Sequence, residues 1–297
     1  MDRIDIRFKY DKHGKIVRKH DLNRFGATKT SGLETRGGSL IISEAETQWI
    51  YCYALEDSSR SKIFARTDSF YPMAVTELLN GNIAACGPCH ACSASCNEDC
   101  EIRKASHGIL NIYSPTGDLI SKIEKDAMEH TFNYPVMMAA NTRETTICVC
   151  DMGLNTVIII DYNGRVLGFN KGLHTTSLPF LPQAQNRFLP MAVCSTLNGD
   201  FVVSDPKIEY LHIMNSHGNS NGILRLNNGE DILDIAALCV DSEHNIWIGH
   251  FHQGAIGILK PDFYKNEFSQ FQLSFLENDH EDLLSMMRRQ CIEVEDS

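Results

Sequence analysis

The stretch Cys86-Gly-Pro-Cys89-His90-Ala-Cys92-Ser-Ala-Ser-Cys96-Asn-Glu-Asp-Cys100 crowds five thiols and one imidazole into a single short segment. Soft sulfur and nitrogen donors at such close spacing can fill the four positions of tetrahedral zinc. The first four cysteines also keep the C-x2-C-x2-C-x3-C spacing of an iron–sulfur run, although Asn97 stands where a proline usually follows. The third chemistry is that of free or redox-active thiols, and local spacing does not choose among the three. The metal set expected from sequence is therefore Cys86, Cys89, His90, Cys92, Cys96 and Cys100, with Zn2+ as the ion it would take.

Other residues are weighed one at a time. Asp151 and Asp205 each close an apolar run, where a carboxylate accepts backbone N–H bonds from the turn that follows. Calcium ligation is the alternative, but it needs several hard oxygen donors converging on one cation, and no such set is assignable. His250-Phe-His252 brings two imidazoles to one turn without a third ligand. Cys148, Cys150, Cys194 and Cys239 lie within apolar runs and read as small core hydrophobes. Trp49 and Trp247 read as space-filling strand residues. Near the start, Arg3, Arg7, Lys9, Lys12, Lys15, Arg18 and Lys19 form a basic stretch. Alternation sets Arg3, Asp5, Arg7 and Lys9 on one strand face, which reads as a solvated face, with an RNA-facing patch as its alternative. No nucleophile triad, phosphate loop or HExxH motif is present.

The elements that must position these residues are short strands. Pro135-Val-Met-Met-Ala-Ala, Thr146-Ile-Cys-Val-Cys-Asp, Asn155-Thr-Val-Ile-Ile-Ile-Asp and Arg165-Val-Leu-Gly-Phe are separated by tight polar turns, which predicts a four-stranded antiparallel meander. The pattern returns from Pro72, from Pro190 and from Ala236–Ala237, and a further unit runs from about residue 27 to Ala65. A single meander cannot bury both of its faces, so such units must stack about an axis. The expectation is an all-β chain, a β-propeller of the six-bladed type over residues 1–275, with one blade incomplete. Ile4–Tyr10 and Lys15–Lys19 read as the third and fourth strands of the incomplete blade. Residues 276–297 read as a short acidic C-terminal helix, because Leu284, Met287, Cys291 and Val294 share one helical face.

Charge narrows the partners. The 297 residues carry 27 Lys and Arg against 38 Asp and Glu, a net −11. Such a field repels phosphate backbones, which disfavours RNA as a ligand. No apolar run reaches the ~18–20 residues of a membrane span, and the chain opens without an apolar signal segment. A cytoplasmic location, with cysteines as thiols or metal ligands, is the expectation.

The repeat texture resembles the NHL class of β-propeller. Its carriers are Pro135 onward, with Asp151, Asn155, Asp161 and Gly164, and Pro190 onward, with Gly199 and Asp205. Leu238-Cys-Val-Asp-Ser-Glu-His-Asn-Ile-Trp-Ile-Gly is similar to the last blade of invertebrate tripartite-motif (TRIM) proteins, whose propeller end recruits protein or, in some members, RNA. The resemblance spans residues 4–260 and includes none of the RING, B-box or coiled-coil modules of that ubiquitin-ligase family. It implies a non-catalytic protein-recognition module whose partner face is built from loops 44–47, 86–107, 151–155, 205–208 and 249–254, including Asp151, Asn155, Asp205, His250 and His252. Residues 241–247 also resemble a metal-dependent, lactonase-like six-bladed hydrolase, which is the enzymatic alternative. An RNA-binding NHL domain is the third.

Overall fold

A computed structural model describes residues 6–10, 16–21, 30–34, 39–54, 61–89, 107–124, 132–172, 188–206, 210–225, 235–250 and 256–259. They fall into two compact units, Met1–Lys122 and Ile123–Ser297. In the first, β1 (Ile6–Tyr10) and β2 (Ile16–Asp21) form a two-stranded sheet. Strands β3 (Thr30–Glu34), β4 (Ser39–Glu44), β5 (Trp49–Ala54) and β6 (Ser61–Arg66) form a four-stranded meander. A second meander joins β7 (Ala74–Glu77), β8 (Ile83–Pro88), β9 (Gly108–Tyr113) and β10 (Leu119–Ile123).

The other unit repeats the plan. Its third meander is β11 (Pro135–Ala140), β12 (Thr146–Asp151), β13 (Thr156–Asp161) and β14 (Val166–Asn170). The fourth is β15 (Val193–Ser195), β16 (Phe201–Asp205), β17 (Tyr210–Met214) and β18 (Ser220–Arg225). A fifth sheet holds β19 (Ile235–Val240), β20 (Ile246–His250) and β21 (Ile256–Leu259). First strands lie beside first strands: β3 beside β7, then β11 beside β15 and β15 beside β19.

Why these residues take this form is visible in burial and in the turns. Every residue of β8, β9 and β12 is buried, as expected of central strands covered on both faces. By contrast the outermost β10 exposes Leu119 and Ile120. The hairpin turns share one device. Asp161 Oδ1 accepts from the backbone N–H of Asn163 and Arg165, and Asn215 Oδ1 accepts likewise from His217 and Asn219. Ser114 Oγ and Asp241 Oδ1 do the same in their own turns. Each side chain supplies an acceptor where the chain reverses, which is why Asp, Asn and Ser recur there. The fourth turn residue adopts positive φ. It is glycine at 117, 164 and 218, while His244 takes the same conformation at φ 67° in the Asp241 turn.

Sheets within a unit interlock through apolar clusters and close backbone approach. Ile41, Ile50, Phe64, Phe70, Val75 and Ile83 belong to the cluster of the first two meanders. Cys148, Cys150, Val157 and Ile159 meet Phe188, Phe201, Val203 and Met214 between the third and fourth. At Gly168 a Cβ would lie 1.9 Å from the His217 carbonyl oxygen, so only glycine fits there. Beside it, Asn170 Nδ2 donates to the Gly218 carbonyl at 2.7 Å. Between the same two sheets, Asn141 Nδ2 also donates to the Gly199 carbonyl at 2.6 Å and Thr142 Oγ1 to that of Thr196.

Two expectations need correction. The six-bladed count fails because, among the described residues, β1 and β2 pair only with each other and no further strands join them into a sixth four-stranded blade. Five sheets follow the blade plan, and the fourth strand expected for the last, Phe268–Leu273, lies outside the described residues. Nor does any helix occur among the described residues, where tight turns join strands directly; the segment 276–297 expected to be helical lies outside them.

Candidate functional site

A clamp between the lead-in chain and the end of the second strand recurs in the second, third and fourth meanders. In the third meander the Asp151 carboxylate, fully buried, accepts three backbone N–H groups: Asn133 at 2.7 Å, Tyr134 at 2.9 Å and Leu154 at 3.0 Å. The chain leading into β11 and the turn after β12 are thus tied to one side chain. Met152 N donates back to the Tyr134 carbonyl at 3.0 Å and completes the tie. Burial pushes the Asp151 carboxyl above the usual range, and its backbone hydrogen bonds work against that rise.

Other sheets reach the same arrangement with different groups. Tyr71 N donates to the Pro88 carbonyl and Met73 N to that of Cys86, with Gly87 pressed so close that a Cβ would meet the Tyr71 carbonyl. In the fourth meander Ala192 N donates to Ser204 Oγ at 2.9 Å. The first meander differs: Glu44 ends β4, is buried and accepts from Thr47 Oγ1 at 2.5 Å, while Thr67 Oγ1, after β6, donates to the carbonyls of Gln48 and Phe70.

The turn held by Asp151 is rigid and apolar at its tip. Asn155 sits at φ 51°, and Gly153 leaves no room for a Cβ beside the Asn133 side chain. Leu154, between them, is 41% exposed. Its sequence position gave no hint of that exposure; only the clamp geometry turns it outward.

Asp205, the second acidic residue expected on this face, is also buried. Its Oδ2 lies 3.9 Å from His212 Nε2, beyond hydrogen-bond range. His212 was not singled out from sequence because it interrupts the apolar strand Tyr210-Leu-His-Ile-Met as one polar residue. Its ring is edge-on to Phe188 at 4.8 Å between centroids, and Nε2 has no hydrogen-bond partner among the described residues. Burial lowers the imidazole to a pKa of about 4, so it is neutral at pH 7.

The structure divides the expected metal set. Ile83, Ala85 and Cys89 pack into one cluster, and Cys86, out of phase with them in the strand, is buried on the opposite face. Both therefore belong to strand structure rather than to the loop where the spacing had placed them. His90, Cys92, Cys96 and Cys100 lie outside the described residues. So does His252, while His250 ends β20. Among the described residues no three of His, Cys, Asp and Glu are grouped to hold a metal ion. Of the four strand cysteines, Cys148, Cys150 and Cys194 are buried as expected but Cys239 is exposed. Trp247 is not simply a filler: its Nε1 donates to Asp241 Oδ2 at 2.8 Å, beside Asn245 Nδ2 at 2.8 Å. Burial acts to raise the Asp241 carboxyl, but these bonds and the turn amides hold it below its ordinary value.

No helix among the described residues is long and apolar enough to cross a membrane. No protein-family model matches the chain, and no curated protein matches it. Solved structures do. A streptogramin B lyase aligns with 85% of this chain and 72% of its own, at 14% identity and a TM-score of 0.58. The selenomethionine-substituted virginiamycin B lyase from Staphylococcus aureus aligns with 85% of this chain and 73% of its own, at 13% identity and a TM-score of 0.57. KlHsv2 with loop 6CD replaced by a Gly-Ser linker aligns over 84% and 71%, at 12% identity and a TM-score of 0.50. Likeness at this identity establishes the fold alone, and that fold is a β-propeller.

Two outcomes follow from the buried acid and the buried imidazole. Asp151→Asn keeps one acceptor oxygen but turns an NH2 donor toward a backbone N–H. The expected loss is about 2–3 kcal/mol by urea unfolding, and a loss within ~0.5 kcal/mol would show that the clamp is not carried by charge. His212 binds its proton more weakly in the folded chain than in the unfolded one. Stability is therefore intact above about pH 6.5 and declines as pH falls toward about 4, by roughly 3 kcal/mol in all. In His212→Gln that part of the pH slope disappears; equal slopes in both proteins would refute the assignment.

Proposed function

We propose that the chain is a non-catalytic, protein-recognition propeller of the NHL and TRIM-like kind, acting in the cytoplasm. Its partner face is formed by the connections between second and third strands: 44–47, 86–107, 151–155, 205–208 and 249–254. Asp151 serves that face as a support beneath the turn, with Asn155 shaping it. Asp205, His250 and His252 are the further positions on these connections. The observation that carries the reading is the pairing of an immobilised turn with an exposed leucine at its tip, since a rigid scaffold presenting an apolar loop residue is the usual form of a protein-binding surface. The net charge of −11 favours protein over RNA as the partner.

The hydrolase reading rested on the Asp-Ser-Glu texture before Trp247. The hydrogen bonds of Asp241 to Trp247 and Asn245 account for that texture as turn chemistry, so it lends no support to a catalytic cation. Zinc held by the Cys86–Cys100 stretch remains part of the proposal as a structural ion ordering loop 86–107. Since Cys86 and Cys89 are buried on opposite faces of one strand, at most one of them joins the donors that follow.

Proximity labelling with the intact chain is compared with Leu154→Asp and with a deletion of 86–107. Leu154 is 41% exposed, so its substitution leaves stability within about 0.5 kcal/mol while removing specific partners. An unchanged partner set in both variants would refute the proposed face. For the ion, protein purified without added zinc is expected to hold about one equivalent, and less than ~0.2 equivalents would remove zinc from the proposal.

A further inference from the structure

The end strands of the meanders differ in what they leave uncovered. β10 ends its sheet, so one of its edges has no described strand partner. It exposes two consecutive apolar residues, Leu119 at 55% and Ile120 at 56%, the largest exposures among the described large hydrophobics. An end strand turns unpaired N–H and C=O groups outward, which makes it a template for another extended chain. β10 has no proline to block such pairing, and its one charged residue is Lys122. Asp118 directly precedes the strand and is tied to the preceding one by Ser114 N, which donates to its carbonyl at 2.8 Å. Its carboxylate is exposed and takes the Ser114 and Thr116 hydroxyls, both on Oδ2.

We infer that β10 pairs antiparallel with β10 of a second copy of this chain, joining two four-stranded sheets into one across a two-fold axis. Charge sets the register. With the axis at Ile120, Ile120 meets its own copy, Leu119 meets Ser121, and Asp118 meets Lys122 on both sides of the axis. Asp118, Ile120 and Lys122 are alternate residues and share one face, so an apolar pair is flanked by two pairs of opposite charge. Asp118 and Lys122 are both exposed. Other end strands repel themselves in the equivalent arrangement. β6 centred on Phe64 opposes Lys62 to Arg66, and β14 centred on Gly168 opposes Arg165 to Lys171. Pairing with a foreign strand asks for no self-complementary charge, so the complementarity of β10 points to a second copy. The contact is one strand wide, which makes the dimer a weak one, with a dissociation constant of roughly 10 to 100 µM. This inference does not rest on the loop face, and the Leu154→Asp chain is expected to dimerise as the parent does.

The test is sedimentation equilibrium of the full chain, under reducing conditions, from about 1 to about 300 µM. A reversible monomer–dimer equilibrium is expected. Asp118→Lys and Lys122→Asp each set like charges against one another at both outer pairs, and each weakens the dimer by about tenfold or more. Mixed in equal amounts, the two variants regain a heterodimer of about parental affinity, because every opposed pair is again of opposite sign. Loss of folding would not be rescued by mixing. Ile120→Lys is expected to be monomeric with a thermal midpoint close to the parent's, since the position is exposed. Ile63→Lys, at a position 52% exposed on β6, keeps the dimer affinity within about twofold. A chain that is monomeric at every concentration, a dimer untouched by Ile120→Lys, equal loss in Ile63→Lys, or charge variants that fail to associate on mixing would each overturn the inference. A monomeric chain whose proximity-labelled partners change in Ile120→Lys would also overturn it, giving the edge to a foreign strand.

Discussion

A meander whose first strand is very short has to be held by what precedes that strand. β15 runs for three residues and β7 for four, too few for their ladders alone to fix them. The missing hydrogen bonds come from the end of the second strand, which takes the lead-in chain as if it were further strand. Tyr71 and Met73 pair with Pro88 and Cys86, and Met191 and Ala192 with Ser204; the longer β11 carries the same tie, with Asn133 and Tyr134 held by Asp151. This tie explains several features that otherwise look unrelated. It places a buried carboxylate in an apolar sheet, forbids a side chain at Gly87, and immobilises the turn carrying Leu154.

Much of this architecture was legible in the sequence because strands and turns are local. Asn-Gly, Asp-x-x-Gly and similar steps mark reversals whose side chains satisfy the turn amides themselves, so nothing distant is needed to read them. The fully buried run Thr146-Ile-Cys-Val-Cys-Asp announces a central strand by composition alone. Even the weakly marked first strand near residues 27–34 is present, as β3. The role of Asp151 was partly visible too. A turn-side acceptor was expected from residue type and position, and the bond to Leu154 is of that kind. The bonds to Asn133 and Tyr134, 18 and 17 residues away, carry no local signal.

What escaped the sequence depends on phase and pairing. Cysteine spacing suggests a common ligand set, but in a strand a separation of three residues sends Cys86 and Cys89 to opposite faces. The same parity separates Trp247, whose indole reaches the turn acid Asp241, from a role in the core. His212 is hidden for another reason. A single polar residue in an apolar strand reads equally as buried or as outward-facing, and only the neighbouring Phe188 and Asp205 decide.

The Asp151 turn spends its conformational freedom at folding: positive φ at Asn155, no space at Gly153 and three amides bound to one carboxylate. A partner meeting Leu154 therefore orders little on binding, and the apolar contact is not offset by loop entropy.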